Sequence, residues 1–365
     1  MLFRSIGMAG KYQDQGASSK KEVIDVESMA DLGEAKEEEG LENVDQKFEI
    51  AQDIAEYFAR GEEFGNINAA RSYISNKFGI DARPGTAAAK QADEAIEVGV
   101  VLAARNIVKD GRRNNLSNAE IYDQIVDLYE RQPNLSVRSS TSVEQQAYST
   151  PAPLAYVASE LAGIGRNTYV YEPTAGNGML LIGASPDNVV ANELNKGRQA
   201  MLERVLDNSD EVYSANAAVE YPSAFGVAYR SAEAVIANPP FGTAKYSDGQ
   251  TRSFEIEGIK TSELDHVIAL RALTGLAEDG KAVLILGSVN AKSEDGRREG
   301  YRGKAKREFY FELYTKYNVV DHFTVGADMY AKQGTKYPVD VIVIDGVGKS
   351  SRDLDRKSTR LNSSH

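Results

Sequence analysis

An α/β protein is predicted, built on a mostly parallel, doubly wound sheet with an antiparallel last strand and preceded by a small helical region. Three observations predict it. From Lys47 to about Arg131 the apolar residues recur at helix spacing. After a Pro/Ser/Thr/Asn-rich stretch at 132–146, short β-rich apolar runs alternate with helical stretches, the grammar of a parallel sheet covered on both faces. The last two of these runs lie too close together to hold a crossover helix, so one of them returns antiparallel.

Taken in order, Phe48, Ile50, Ile54, Ala55 and Phe58 share one helical face, as do Ala69, Tyr73, Ile74 and Phe78. Residues 92–108, rich in Ala, Val and Ile, predict a long helix. Ser117-Asn118-Ala119-Glu120 has capping-box form, with Ile121, Ile125 and Leu128 following on one face. Strands are expected at 168–171, 189–191, 234–237, 282–286, 319–325 and 339–344, with helices at 194–206 and 264–277. The expected organisation is an acidic, disordered tail over 1–46, a helical region over 47–135 and an α/β domain over 140–349. Residues 350–365 (SSRDLDRKSTRLNSSH) form a patternless tail whose end looks like translated adaptor or vector sequence.

The composition, 42% hydrophobic and 26% charged, supplies a sizeable core. With no cysteine, a disulfide scaffold, a zinc–cysteine site and a thiol nucleophile are excluded. Three histidines (His266, His322, His365) argue against a histidine metal centre, and no metal is expected. No apolar run reaches membrane-spanning length, and the first ten residues are too short for a secretory signal, so a soluble cytoplasmic protein is expected.

The formal net charge of -12 argues at first against a nucleic-acid partner. Its distribution reverses that. Residues 22–64 hold 15 of the 54 acids and 3 of the 42 bases, so the remaining 39 acids and 39 bases balance. The stretch from Lys292 to Arg307 (KSEDGRREGYRGKAKR) has seven bases, three acids and three glycines, and predicts a loop able to contact phosphates.

Two motifs sit at expected strand ends, where doubly wound sheets bind ligands. In YVYEPTAGNGML (169–180), a strand runs into Glu172 and Pro173, and Ala175-Gly176-Asn177-Gly178 then opens a helix. Glycines there let a ligand approach the backbone. The turn is neither GxGxxG nor a phosphate loop, and Glu172 would repel a phosphate and suit a cationic or hydroxyl group. Glu193 follows the next strand and is the expected receptor for ribose hydroxyls. The second motif, AVIANPPFG (234–242), ends a buried strand in Asn238-Pro239-Pro240-Phe241. Two prolines cannot continue a ladder, so their carbonyls are released from it. With the asparagine carbonyl they can accept both hydrogens of a planar amino group, and Phe241 offers a face on which a heterocycle can stack.

With EPTAGNG after the first strand and NPPF after the fourth, residues 145–345 resemble the class I S-adenosylmethionine-dependent methyltransferases that act on amino groups, and within these the N6-adenine DNA methyltransferases. Tyr148-Ser149-Thr150-Pro151 is similar to the Thr-Pro block that precedes the glycine motif in the gamma-type order, and Ser149 or Thr150 is expected to cap a helix with Pro151 in its first turn. The resemblance implies a Rossmann-like seven-stranded sheet, S-adenosylmethionine as cofactor and DNA as partner. It implies that Tyr148, Ser149, Thr150, Glu172, Pro173, Ala175, Gly176 and Gly178 lie around the cofactor, Glu193 at its ribose and Asn216 at its adenine, where many relatives carry an acid. Asn238 and Pro239 would accept from the target amino group, with Pro240 beside them and Phe241 stacked on the flipped base.

The phrases QAYSTPAPLAYVASELAG, ELDHVIALRAL and KQGTKYPVDVIVIDG are further similar to methyltransferase modules of phage and mobile-element polyproteins, which join a methyltransferase to helicase-like regions and are implicated in antirestriction within a bacterial host. Competing readings are an N5-glutamine protein methyltransferase, an RNA adenine methyltransferase and an inactive nucleic-acid-binding module. His266 reads as a structural helix residue, and Glu263 and Asp265 as carboxylates the chemistry hardly needs.

Overall fold

The computed structural model describes residues 23–25, 44–135, 149–246, 250–289, 291, 293–333 and 337–351. Tyr148, Lys292, most of the acidic stretch, residues 136–146 and residues 352–365 lie outside them. A short strand, β1 (Val23–Asp25), precedes four helices: α1 (Val44–Ala59), α2 (Ile67–Phe78), α3 (Ala87–Arg113) and α4 (Asn118–Arg131). Thr86 caps α3 by accepting from the Ala89 N–H, and α3 runs 27 residues, longer than predicted at both ends. Both arms of the Ser117–Glu120 capping box form at α4. Helices α1 and α3 pack unusually closely, because a Cβ on Gly99 would stand 2.5 Å from Ile54 Cγ2.

The rest of the chain adds α5 (Ala152–Leu161), β2 (Val170–Glu172), β3 (Val189–Asn192), α6 (Lys196–Val205), β4 (Val212–Tyr213), β5 (Ala232–Ala237), β6 (Thr243–Lys245), β7 (Phe254–Ile256), β8 (Ile259–Thr261), α7 (Leu264–Leu273), β9 (Leu276–Gly287), α8 (Glu294–Arg302), α9 (Lys304–Lys316), β10 (Tyr317–Val325) and β11 (Val339–Val347). Seven strands form the main sheet in the order β10-β11-β9-β5-β2-β3-β4. All pairs among β9, β5, β2, β3 and β4 are parallel, while β11 runs antiparallel to both β9 and β10, as the missing crossover required. Strand β5, at the centre of the sheet, is buried at every position but Glu233, as expected of a parallel sheet covered on both faces. Strand β1 pairs in parallel with β6, just beyond Phe241, so the expected tail contributes one strand.

Three further expectations are corrected. The glycine turn does not open an α-helix; only a 3-10 turn, Met179–Leu181, follows, since Gly178 at φ 84° turns the chain away and packs against Leu202. The predicted basic loop is two helices, α8 and α9, with Ser293 capping α8 through the Gly296 N–H. Tyr301, Phe309, Tyr310 and Leu313 hold this segment down as buried side chains. Finally, Ser350 belongs to the fold: its N–H and Oγ bond the Tyr314 and Val319 carbonyls.

One apolar core runs through the helical region and the sheet. Arg105 donates to the Leu181 carbonyl at 2.8 Å, and Arg112 to the Gly183 carbonyl at 2.6 Å, so α3 is fastened to the loops beyond β2. From the other side, Lys332 in the turn between β10 and β11 donates to the Tyr129, Glu130 and Gln132 carbonyls and caps the end of α4. Gly99→Ala is therefore expected to cost about 1–3 kcal/mol in urea unfolding, because a methyl must displace Ile54. Gly65→Ala, with open space at its Cβ, should stay within about 0.5 kcal/mol.

Candidate functional site

The parallel strands stop at a common edge, and the residues just past them line a cleft with an empty volume of ≈ 1080 Å³, its open mouth included. Strand β2 delivers Glu172, β3 delivers Asn192 and Glu193, the turn after β4 delivers Ala215 to Ala217, and β5 delivers Asn238 and Pro240. Asn192 fastens three of these ends together. Its Nδ2 donates to the Pro173 and Ala215 carbonyls, both at 2.9 Å, its Oδ1 accepts from the Ala215 N–H, and its backbone carbonyl accepts from the Ala175 N–H. Nothing in the sequence singles out this buried asparagine.

Of the predicted residues, Ser149, Thr150, Glu172, Ala175, Gly176, Glu193, Asn216, Asn238 and Pro240 line the cleft. Pro173, Gly178, Pro239 and Phe241 stand behind or beside it, with Gly178 against Leu202 and Pro173 held by Asn192. Tyr148 lies outside the described residues.

Glu172 is 1% exposed, and its Oε2 has no hydrogen-bond partner. Burial, with the neighbouring Glu193 adding to it, holds this carboxyl well above the usual carboxylate range. Glu193 is braced: Oε2 accepts from the Gly176 N–H at 3.0 Å, and Oε1 from the Asn195 N–H and Arg198. One lone pair of its Oε2 stays available. Asn216 accepts from the Ala218 N–H, which orients its amide at the cleft wall. The expected helix cap at Ser149 or Thr150 does not form, and Pro151 takes the N-cap position without a side-chain bond. Instead Ser149 Oγ donates to Glu97 Oε2 at 3.0 Å, and Thr150 Oγ1 accepts from Asn238 Nδ2 at 2.8 Å. The second of these bonds commits the nitrogen of the Asn238 amide and turns its carbonyl oxygen free of that partner.

Two contributors went unforeseen. Glu97, from the middle of α3, lines the cleft and also accepts from Asn177 Nδ2 at 3.2 Å. Burial pushes its carboxyl up to about 7. Tyr337 places its ring centroid 6.3 Å from that of Phe241, with the planes tilted by 34°. One of several acids in an Ala/Val-rich helix and a tyrosine in a connecting segment carry no local signal. His266 is buried, stacked on Phe309 at 3.6 Å, with Nδ1 facing Thr261. Asp265 accepts from the Gly287 N–H, and burial raises its carboxyl to about 6. Neither lines the cleft. No cluster of His, Cys, Asp or Glu able to hold a metal occurs among the described residues.

Chemically, the cleft sets partly unsatisfied, desolvated carboxyls and a carboxamide at the ends of neighbouring strands, with Phe241 following the carboxamide in the chain. The first set suits a cationic, hydroxyl-bearing ligand and the second a planar amino group.

No family model and no curated protein matches the chain. Among solved structures it is similar to the type IIG restriction endonuclease BpuSI, at 12% identity and a TM-score of 0.45, covering 90% of this chain and 39% of that one. It is also similar to the M protein of the type I restriction enzyme EcoKI, at 12% identity and a TM-score of 0.40, covering 77% of this chain and 67% of that one. The geranyl diphosphate C-methyltransferase of Streptomyces coelicolor A3(2), solved with S-adenosyl-L-homocysteine, is similar at 11% identity and a TM-score of 0.35, covering 62% of this chain and 81% of that one. These likenesses concern the fold.

Ionising Glu172 in its dry position costs folding free energy, so its stability contribution is present at low pH and lost as pH rises through its raised value. Glu172→Gln is expected to raise the thermal unfolding midpoint of the ligand-free protein, by more at pH 8 than at pH 5. A lowered midpoint at pH 8 would mean that the carboxyl is satisfied.

Proposed function

We propose that this chain transfers a methyl group from S-adenosylmethionine to the exocyclic N6 amino group of adenine in DNA. The observation that carries the reading is Asn238 just past β5, its amide held by Thr150, in a cleft that the neighbouring strand β2 lines with the buried, unpaired Glu172.

The residues fit such a cofactor. Glu172 Oε2 is an acceptor without a donor, as an ammonium group requires, and Glu193 retains capacity for ribose hydroxyls beside Gly176. Asn216, on the cleft wall, would face the adenine. When bound, S-adenosylmethionine supplies an electrophilic methyl group, so the protein needs no further activating group. Its own residues orient the amino group. The Asn238 side-chain carbonyl and the Pro239 backbone carbonyl accept the two amino hydrogens and direct the nitrogen lone pair along the cleft. Transfer would form the N–C bond as the donor's S–C bond breaks, and the same two carbonyls would stabilise the positive charge on that nitrogen. One proton then leaves to solvent. Phe241 and Tyr337 offer aromatic surface to the extruded base and offset part of the unstacking cost of a few kcal/mol.

The competing substrates differ in what they present to this rim. A glutamine side chain has no ring to lay against Phe241, so the aromatic pair favours a nucleobase. RNA and DNA adenines are alike at the amino group, and DNA is favoured by the resemblance of the NPPF and Thr-Pro blocks.

The test is transfer of labelled methyl to adenine-methylation-free DNA, total RNA and glutamine-containing protein in parallel. Label is expected in DNA as N6-methyladenine. Asn238→Ala should bring transfer below detection and leave S-adenosylhomocysteine affinity within about threefold, since the asparagine would bond the acceptor and not the cofactor. Phe241→Ala should weaken kcat/KM for DNA about ten- to a hundredfold through lost stacking. Label in RNA or protein alone, or normal transfer by Asn238→Ala, would overturn the reading.

A further inference from the structure

We propose that Glu97 binds the ammonium group at the amino-acid end of the methyl donor, so that the helical region supplies part of the cofactor site. The proposal rests on the methyl-donor reading above and extends it to a residue outside the α/β domain.

The position of Glu97 is fixed from both directions. Helix α3 is clamped to the loops beyond β2 by Arg105 and Arg112, and Val100 and Val101, one turn on from Glu97, also line the cleft. Ser149 Oγ and Asn177 Nδ2 both donate to the same oxygen, Glu97 Oε2, at 3.0 and 3.2 Å. A carboxylate offers about four lone-pair sites, so roughly half of its capacity remains. These bonds also join three chain segments at one carboxyl: the glycine turn, the stretch before α5 and helix α3.

A ligand is indicated independently by Glu172. Its Oε2 is buried without a partner in the same cleft, and a site with two desolvated carboxyls is incomplete until a cation enters it. A hydroxyl would supply hydrogen bonds and leave the charge uncompensated. A compact ammonium, with three donors and one positive charge, matches a buried carboxyl with lone pairs to spare.

The electrostatic surroundings agree. Burial raises the Glu97 carboxyl most; Ser149 and Arg198 pull it down, and Glu94 and Asp93 on its own helix push it up, to about 7. Asn177 donates to it from the glycine turn, and Glu172 and Glu193 stand at the strand ends in the same cleft. A cation beside it favours the ionised form, so binding at pH 6 should release protons, and affinity should rise from pH 5 to pH 8.

Calorimetry on the full chain separates the possibilities. The probes are S-adenosylhomocysteine, which keeps the ammonium but has no sulfonium charge, and methylthioadenosine, which lacks the amino-acid end. At pH 8, Glu97→Gln is expected to weaken S-adenosylhomocysteine about 10- to 100-fold and methylthioadenosine less than threefold. Proton release at pH 6, read from heats in two buffers of different ionisation enthalpy, should shrink in the variant. The amide keeps an acceptor for Ser149 and Asn177, so its unfolding midpoint should match or exceed that of the wild type. Unchanged S-adenosylhomocysteine affinity, or equal loss for both probes, would overturn the role of Glu97 while leaving the methyl-donor reading standing. Failure of the wild-type protein to bind either probe would overturn that reading and this inference with it.

Discussion

The hydrogen bonds of one buried side chain, Asn192, determine what the sheet edge presents. With its carboxamide and its backbone carbonyl it ties the turn after β2 and the turn after β4 to the end of β3. These turns would otherwise leave buried peptide groups unpaired, which folding does not tolerate. Because they are tied, the side chains beside them cannot relax away from one another. Glu172 stays sealed at the end of β2, Glu193 stays against Gly176, and Asn216 keeps its place on the wall. The polar chemistry of the cleft is thus held by bonds to the backbone as well as by side-chain pairs such as Thr150 with Asn238 and Glu193 with Arg198.

That arrangement opposes stability. A carboxyl without a partner in a desolvated site is a cost in the ligand-free state, and Glu97 adds a second partly satisfied one. The surrounding fold offsets it. The core is continuous from the helical region into the sheet, the clamps of Arg105 and Arg112 fix α3, and Lys332 holds α4 from the opposite side. The helical region is therefore a wall of the site as well as a packing partner. Removing it would uncover the carboxyls and loosen the glycine turn at once.

Much of this was legible in the sequence, and the parts that were not share a physical cause. The antiparallel pairing of the last two strands follows from the short spacing of their β-rich segments, and NPPF and EPTAGNG mark the strand ends because proline and glycine have few other reasons to stand there. Local rules failed where a tertiary partner outbid a local one. Ser149 and Thr150 are good cap residues by type, yet Glu97 and Asn238 capture their hydroxyls. Glycine and charge made residues 292–307 look like a loop, but of the aromatic residues that anchor them as helices only Tyr301 falls inside that window, and Phe309 and Tyr310 lie just beyond it. Asn192, Glu97 and Tyr337 were invisible because each acts through residues distant in sequence, and no spacing rule encodes that.

The central claim is that the buried carboxyls of this cleft exist to hold the cationic end of a methyl donor within reach of Asn238. A crystal structure of the full chain with S-adenosylhomocysteine tests it most directly. The account predicts the ligand ammonium within hydrogen-bonding distance of Glu97, the same end of the ligand covering Glu172, its ribose at Glu193, and its sulfur directed toward Asn238. A ligand bound elsewhere, or lying in the cleft with its ammonium in solvent and Glu172 still unpartnered, would contradict it.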